Sequence, residues 1–157
     1  VHPFDRRRAL VLGGVRLGSR PGLRGHSDAD VLAHAICDAL LGAMGLPDMG
    51  IRFPASDERL KGRSSLVFLR EVMREARRRG LRIGNLDATV VADEPLLRSH
   101  LPAMRRRLAR ALGCASADVS VKAKRAEGLG AIGRREGIAA QAVVLLQGSA
   151  RTGRARR

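Results

Sequence analysis

Two histidines and several carboxylates stand at spacings that allow metal chemistry. In the run His26-Ser-Asp-Ala-Asp-Val-Leu-Ala-His34 and onward to Asp38, residues Asp30, His34 and Asp38 recur every four positions. On a helix this spacing places them on one face. An imidazole between two carboxylates is a good metal ligand, because one ring nitrogen can meet the ion while a carboxylate orients the other. His/Asp clusters at helical spacing are only moderately specific, and a solvated helix face with an incidental histidine fits the pattern about as well. A further histidine stands in Val1-His2-Pro3-Phe4. A catalytic zinc site typically uses three protein ligands and one open position; His2 and His34 supply two, and spacing alone does not reveal the third.

The elements that would position these groups follow from pattern. Leu10–Leu17 reads as two short strands about a Gly13-Gly14 turn. Gly18–Arg24, rich in Gly, Pro and Arg, reads as a loop. A helix is expected from about Ser27 to Met44, with Leu32, Ile36 and Leu40 as its buried stripe and Gly45 and Pro47 ending it. Asp48–Arg63 is a long polar loop, and a loop of that length in a compact domain is usually functional. Ser64 or Ser65 would cap the next helix, which Arg77-Arg-Arg-Gly80 closes favourably for the dipole. Leu81–Ala92 reads as a strand, Asp93–Pro95 as a turn and Ser99–Leu112 as a helix ended by Gly113. Val119–Lys124 alternates as a half-buried strand, and Lys124–Glu136 is a glycine-rich basic loop. Ile138–Leu146 is apolar on both faces, as expected inside a sheet or at a subunit interface. The order β-β-α-α-β-α-β-β predicts one α/β (α+β) domain over residues 1–148, a small mixed sheet with helices on one face. Residues 149–157 carry four arginines and no apolar run, and read as a disordered basic tail.

The chain has 157 residues and a formal charge of +15, and of its 30 basic residues only Lys61, Lys122 and Lys124 are lysines. Such charge points to an anionic partner, although arginine in preference to lysine is also what a GC-rich genome writes on exposed helix faces. Trp and Tyr are absent and Phe occurs three times, too few aromatics for base stacking, which argues against a single-strand nucleic-acid platform. No apolar run approaches the ~20 residues of a membrane span, and no charged segment leads into an apolar one at the start. Cys37 and Cys114 are expected to be free thiols in a reducing cytoplasm.

Taken together, Val1–Phe4, Leu12–Arg16, His26–His34, Asp38–Gly42, Phe53-Pro54, Lys61-Gly62, Gly84–Asp87, Val121–Ala123, Glu127, Leu129-Gly130 and Gly133–Ala139 resemble, in order, the motifs of the 2-C-methyl-D-erythritol 2,4-cyclodiphosphate synthase family. The resemblance covers residues 1 to about 147. It implies a homotrimer with active sites between subunits and a lyase reaction of non-mevalonate isoprenoid biosynthesis. There the 2-phosphate of 4-diphosphocytidyl-2-C-methyl-D-erythritol 2-phosphate attacks the β-phosphorus and CMP leaves. It further implies Zn2+ on His2 and His34, and Mg2+ or Mn2+ on Glu127 with the diphosphate. His26 and Ser27 would meet phosphate, His26 by stabilising transition-state charge, and Arg134 would meet phosphate too. Asp48 and Gly50 would hold the erythritol end under a mobile lid from Phe53 to Asp57. Ala92, Leu96, Leu97 and Arg98, with Ala123 and Lys124, would build a cytosine pocket.

The chain departs from the family pattern at several positions. The family's zinc site uses an Asp-x-His pair whose Asp falls immediately ahead of Val1, so the reading expects a segment upstream that carries it; a fused upstream cytidylyltransferase is left open. Leu96 stands where the family commonly has Lys. Arg125 replaces a threonine that acts on the phosphate in flight, and is assigned a catalytic role as a charge-assisted donor. Gly128 ends a stretch that differs from the family's usual run, and Ala131 replaces a Phe of the family's central cavity. Two alternatives stand beside the synthase: a trimeric homologue that has lost turnover, favoured by these departures, and a nucleic-acid-binding protein, favoured by charge alone.

Overall fold

In the computed structural model, residues 1–148 are described, apart from the side chains of Ser19 and Arg20. The tail expected at 149–157 lies outside the described residues. Five strands, β1 (His2–Leu12), β2 (Val15–Leu23), β3 (Leu81–Val91), β4 (Val119–Lys124) and β5 (Gly137–Gly148), form one sheet in the order β2-β1-β5-β3-β4. Only β3 and β4 run parallel; the other pairs are antiparallel. Helices α1 (Val31–Ala43), α2 (Met49–Arg52), α3 (Ser65–Arg78), α4 (Leu101–Leu112) and α5 (Gly130–Gly133) complete the main elements. The mixed α+β domain read from the element order is the one found.

The first hairpin is longer than its apolar run. Its strands continue through Asp5-Arg-Arg-Arg8 on one side and through Pro21 and Gly22 on the other, where a loop was expected. β2 is an edge strand, and an edge tolerates Pro and charge because half of its backbone groups need no partner. Gly13 and Gly14, at φ 55° and 73°, make the turn, the conformation a two-residue primed turn demands. A Cβ added to Gly14 would also overlap the Leu66 side chain.

The helix expected from Ser27 begins only at Val31, because Ala29 takes a positive φ of 57° and Asp30 is the N-cap. Asp30 therefore does not join His34 as a ligand-facing carboxylate. It is fully buried, and its oxygens accept the amides of Gly13 (2.9 Å), Gly14 (2.6 Å) and Ala33 (3.0 Å). One carboxylate thus clamps the hairpin turn to the start of α1. The polar loop from Asp48 contains α2 and a 3-10 turn at Glu58–Leu60. Ser64 holds the N-cap position of α3 but makes no side-chain cap bond; the Asp28 carboxylate instead accepts the Ser65 amide at 3.0 Å.

Helices α1, α3 and α4 cover one face of the sheet around Leu32, Ile36, Leu40, Leu69, Met73, Leu86, Met104 and Leu108. On β5, Ala140, Ala142, Val144 and Leu146 pack toward this core, while Val143 and Leu145 on the other face are 73% and 55% exposed. That second apolar face matches the two-faced pattern read from Ile138–Leu146.

Candidate functional site

Three chain segments meet where β1 begins. Arg8 donates to the carbonyls of Gly25 and Ser27, fixing the loop ahead of α1 to β1. The same loop pairs with the stretch before α3, through Gly62 N to His26 O and Asp28 N to Arg63 O, both 2.9 Å. His2 comes from β1, Ser27 and Asp28 from the loop, His34 from the first turn of α1 and Ser65 from the start of α3.

His2 Nε2 lies 3.0 Å from His34 Nδ1. The other nitrogen of His34 faces the hydroxyls of Ser65 at 2.8 Å and Ser27 at 3.1 Å, and Ser65 Oγ in turn contacts the Asp28 carboxylate closely. Burial, with the nearby His2, pushes the His34 imidazole down to about 4. Burial first, then the Val1 ammonium and the Arg8 guanidinium, lowers His2 as well. Both shifts favour the neutral imidazole, the form a metal needs.

The pair opens into a cavity of about 430 Å³ lined by His2, His26, Ser27, His34, Asp38, Gly50, Phe53 and Phe68, among others. Phe53 stacks on Phe68 with ring centroids 4.7 Å apart. His26 Nε2 lies 2.9 Å from the Asp57 carbonyl oxygen, tying the motif to the following loop. Asp48 caps α2 through the Ile51 amide, and Asp38 accepts the Met49 amide at 2.8 Å. The Asp57 carboxylate grips Arg59 through two bonds, at 2.9 and 2.8 Å, and this hydrogen bonding holds its carboxyl down at about 2. Asp48 and Asp57 are thus turned to local backbone and an arginine, and neither lines the cavity.

A separate cavity of about 340 Å³ gathers Ala92, Pro95, Leu96, Leu97, Arg98, Ala123, Lys124 and Arg125, the group expected to form the cytosine pocket plus Arg125. Buried Asp93 accepts the amides of Ala126 (2.7 Å) and Gly128 (3.1 Å), and Arg125 Nε approaches it at 3.9 Å. Glu127, at φ 52°, is exposed, as are Ala131 and Arg134; Arg134 pairs with Glu136 at 2.7 Å. None of these three lines either cavity. His2 pairs with Ile138, and the next row runs Ala139–Val91–Lys124. The two regions of one chain are therefore three strand spacings apart, about 14 Å.

Among the described residues no group of three His, Cys, Asp or Glu converges as a metal site. The pair nevertheless fits two legs of a tetrahedral zinc. With Zn–N near 2.0–2.1 Å, two tetrahedral nitrogens stand about 3.3 Å apart, only slightly wider than the 3.0 Å observed. Of the residues expected at the site, the structure brings His2, His26, Ser27 and His34 to one cavity; Asp28, Ser65 and Phe68 stand beside them and Asp93 anchors the second region, none of them given a site role by the motifs. Asp28 lay within the leading motif without an assigned role, and Ser65 was read only as a cap.

Fold and site define a one-domain α+β protein that carries a histidine pair lining a cavity. The model of the YgbB family matches residues 1–147, and the chain belongs to that family. It is 54% identical over 147 residues to the 2-C-methyl-D-erythritol 2,4-cyclodiphosphate synthase of Syntrophomonas wolfei, covering 94% of each chain. The bifunctional IspDF from Campylobacter jejuni superimposes with a TM-score of 0.89 at 39% identity, over 94% of this chain and 40% of that one. A Plasmodium falciparum IspF in complex with CDP gives a TM-score of 0.80 at 32% identity, covering 93% of this chain and 88% of that one. No helix among the described residues is long and apolar enough to cross a membrane.

Proposed function

We propose that this chain is a lyase that converts 4-diphosphocytidyl-2-C-methyl-D-erythritol 2-phosphate to 2-C-methyl-D-erythritol 2,4-cyclodiphosphate and CMP, in the cytoplasm and as a homotrimer. The observation that carries the reading is the His2–His34 pair beside a cavity, in a chain 54% identical to a synthase of that name. An oxygen of the 2-phosphate forms a bond to the β-phosphorus; the bond from that phosphorus to the bridging oxygen breaks, and CMP leaves with the electron pair. Bringing two anions together makes positioning and charge neutralisation the main tasks. A zinc ion on His2 and His34 would supply charge neutralisation and a template for one phosphate, with Mg2+ or Mn2+ at Glu127 doing the same for the diphosphate.

The chain's own residues do the rest. His26 and Ser27 face phosphate from the cavity wall, with His26 stabilising transition-state charge, while Gly50 and Phe53 bound the erythritol end under a lid reaching Asp57; Asp48 joins them by turning from the Ile51 amide that it caps here. The second cavity, from Ala92 to Arg98 with Lys124, holds cytosine. Arg125 and Arg134 donate to phosphate. The spacing between the two cavities supports a site completed by a neighbouring copy, and the exposed Val143 and Leu145 supply an apolar face for that copy. Light scattering should give three times 16.9 kDa, and the Val143→Glu variant should fall toward one third of the wild-type mass and lose CMP release. A monomeric wild type that still releases CMP would overturn the shared-site reading, and a wild-type trimer with no CMP release would overturn the reaction.

A further inference from the structure

We infer that Asp28 and Ser65 are positioning residues that fix the tautomer of His34 and so turn its Nδ1 lone pair toward the metal position. This rests on the metal reading proposed above and concerns residues to which that reading gives no role.

The argument is an accounting of protons. A carboxylate only accepts, a hydroxyl has one proton to give, and a neutral imidazole has one N–H and one lone pair. The Asp28 carboxylate already accepts the Ser65 amide at 3.0 Å and the Asp30 amide at 3.2 Å. Both contacts use the carboxylate as an acceptor. Its close contact with Ser65 Oγ then has one direction: the Ser65 hydroxyl donates its proton to Asp28. What Ser65 Oγ offers to His34 Nε2 at 2.8 Å is a lone pair, so Nε2 carries the hydrogen. Ser27 Oγ, 3.1 Å from Nε2, can accept from it as well when its own proton goes to Ser65 Oγ at 3.3 Å. The remaining nitrogen, Nδ1, is left as a lone pair facing His2 Nε2 at 3.0 Å.

The relay is buried where it matters, with Ser65 1% and Ser27 5% exposed. The two hydroxyls that face Nε2 are thus largely shielded from water. Metal-bound histidines commonly donate their second nitrogen to such a partner, and losing the partner typically weakens metal binding by roughly tenfold to a hundredfold. Asp28 and Ser65 lie 37 residues apart and meet only because the loop at His26–Asp28 pairs with Gly62 and Arg63.

The test uses the full chain labelled with 15N and freed of metal. Long-range 15N–1H correlation of the imidazole should show His34 as the Nε2–H tautomer. Ser65→Ala should convert it to a mixture or to Nδ1–H, and Ser65→Thr, which keeps the hydroxyl, should restore the wild-type pattern. Zn2+ affinity by chelator competition should fall at least tenfold in Ser65→Ala and return to within a few-fold in Ser65→Thr. The visible spectrum of the Co2+-loaded chain should change in parallel. If Ser65→Ala does not fold, as judged by circular dichroism, Asp28→Ala serves instead: it removes the acceptor of the Ser65 proton, which can then go to Nε2, and the Nδ1–H form should grow. A wild-type His34 in the Nδ1–H form, or a tautomer and Zn2+ affinity that ignore these substitutions, would overturn the relay. CMP release from the diphosphocytidyl substrate separates the two readings. Nε2–H without CMP release keeps the relay and sinks the reaction, whereas CMP release with Nδ1–H sinks the relay alone.

Discussion

The His2–His34 corner and the Arg125–Glu127 loop belong to one proposed reaction but are built differently. The first is assembled from β1, the α1 loop, α1 and α3, and nearly every polar atom in it has a partner inside the chain. The second is a single excursion between β4 and β5, anchored by Asp93 through two backbone amides, with the Arg125 side chain 54% exposed. The first is rigid by construction, because moving any member strands a buried hydrogen-bonding group. The second holds its backbone in place and leaves its side chains to solvent or to a partner. A metal ligand needs the former; a group that must meet a mobile phosphate can work as the latter.

The sharpest way to break this contrast is at the rigid corner. His34→Ala removes a proposed ligand and the acceptor network's focus together. It should abolish stoichiometric zinc and lower CMP release by roughly a thousandfold, equivalent to about 4 kcal/mol of barrier. Metal content after dialysis and single-turnover CMP release report the two effects. Full zinc occupancy in this variant would mean that the pair is not the metal site.

The exposed loop should yield a smaller effect. If Arg125 donates to phosphate in the transition state, Arg125→Ala and Arg125→Thr should each lower kcat by roughly tenfold, with little change in zinc content. Higher turnover in Arg125→Thr would show that the guanidinium obstructs the substrate. Its approach to Asp93 at 3.9 Å is too long for a strong pair, so the side chain is not spent on holding the loop.

The same contrast explains what could be read before any coordinates. His2, His26 and His34 are legible because short motifs carry their chemistry, and the order of strands and helices follows from periodicity. Ala92, Leu96, Leu97, Arg98 and Lys124, expected to build a cytosine pocket, line one cavity. Asp30 misled, since helical spacing from His34 matches a ligand face as well as an N-cap, and only the hairpin turn it clamps decides between them. The extent of β1 and β2 was hidden because edge strands tolerate the same Gly, Pro and Arg that mark loops. Ser65 and Asp28 were not legible as partners because their contact depends on backbone pairing between two loops, which leaves no periodic trace.

The smallest effect expected is a balance of two large ones, and it again sits at the rigid corner. His34, held down at about 4 against an ordinary 6.5, stays neutral in the fold while the unfolded chain takes up a proton. Its contribution to stability is complete above pH 6.5 and is lost as pH falls toward 4. Asp30 works in the opposite sense. Burial outweighs its amide donors and pushes it up to about 6 from 3.8, so the fold binds a proton first, and stability is gained as pH falls from 6 toward 3.8. Each interval is worth about 3 kcal/mol if fully expressed, and the two nearly cancel between pH 6 and 4. Asp57 and Glu75, held at about 2 by arginine partners, stay ionised in the fold while the unfolded chain takes up protons toward pH 4, and the lowered His2 works in the same sense as His34, so a net loss on acidification remains. Urea unfolding of the metal-free chain should therefore show a shallow decline in stability from pH 6.5 to 4. His34→Gln should instead grow more stable on acidification, and Asp30→Asn less stable, each by a few kcal/mol relative to its own value at pH 6.5. If Asp30→Asn declines no more steeply than wild type, the buried carboxylate is ionised throughout, and the three amides of Gly13, Gly14 and Ala33 outweigh its burial.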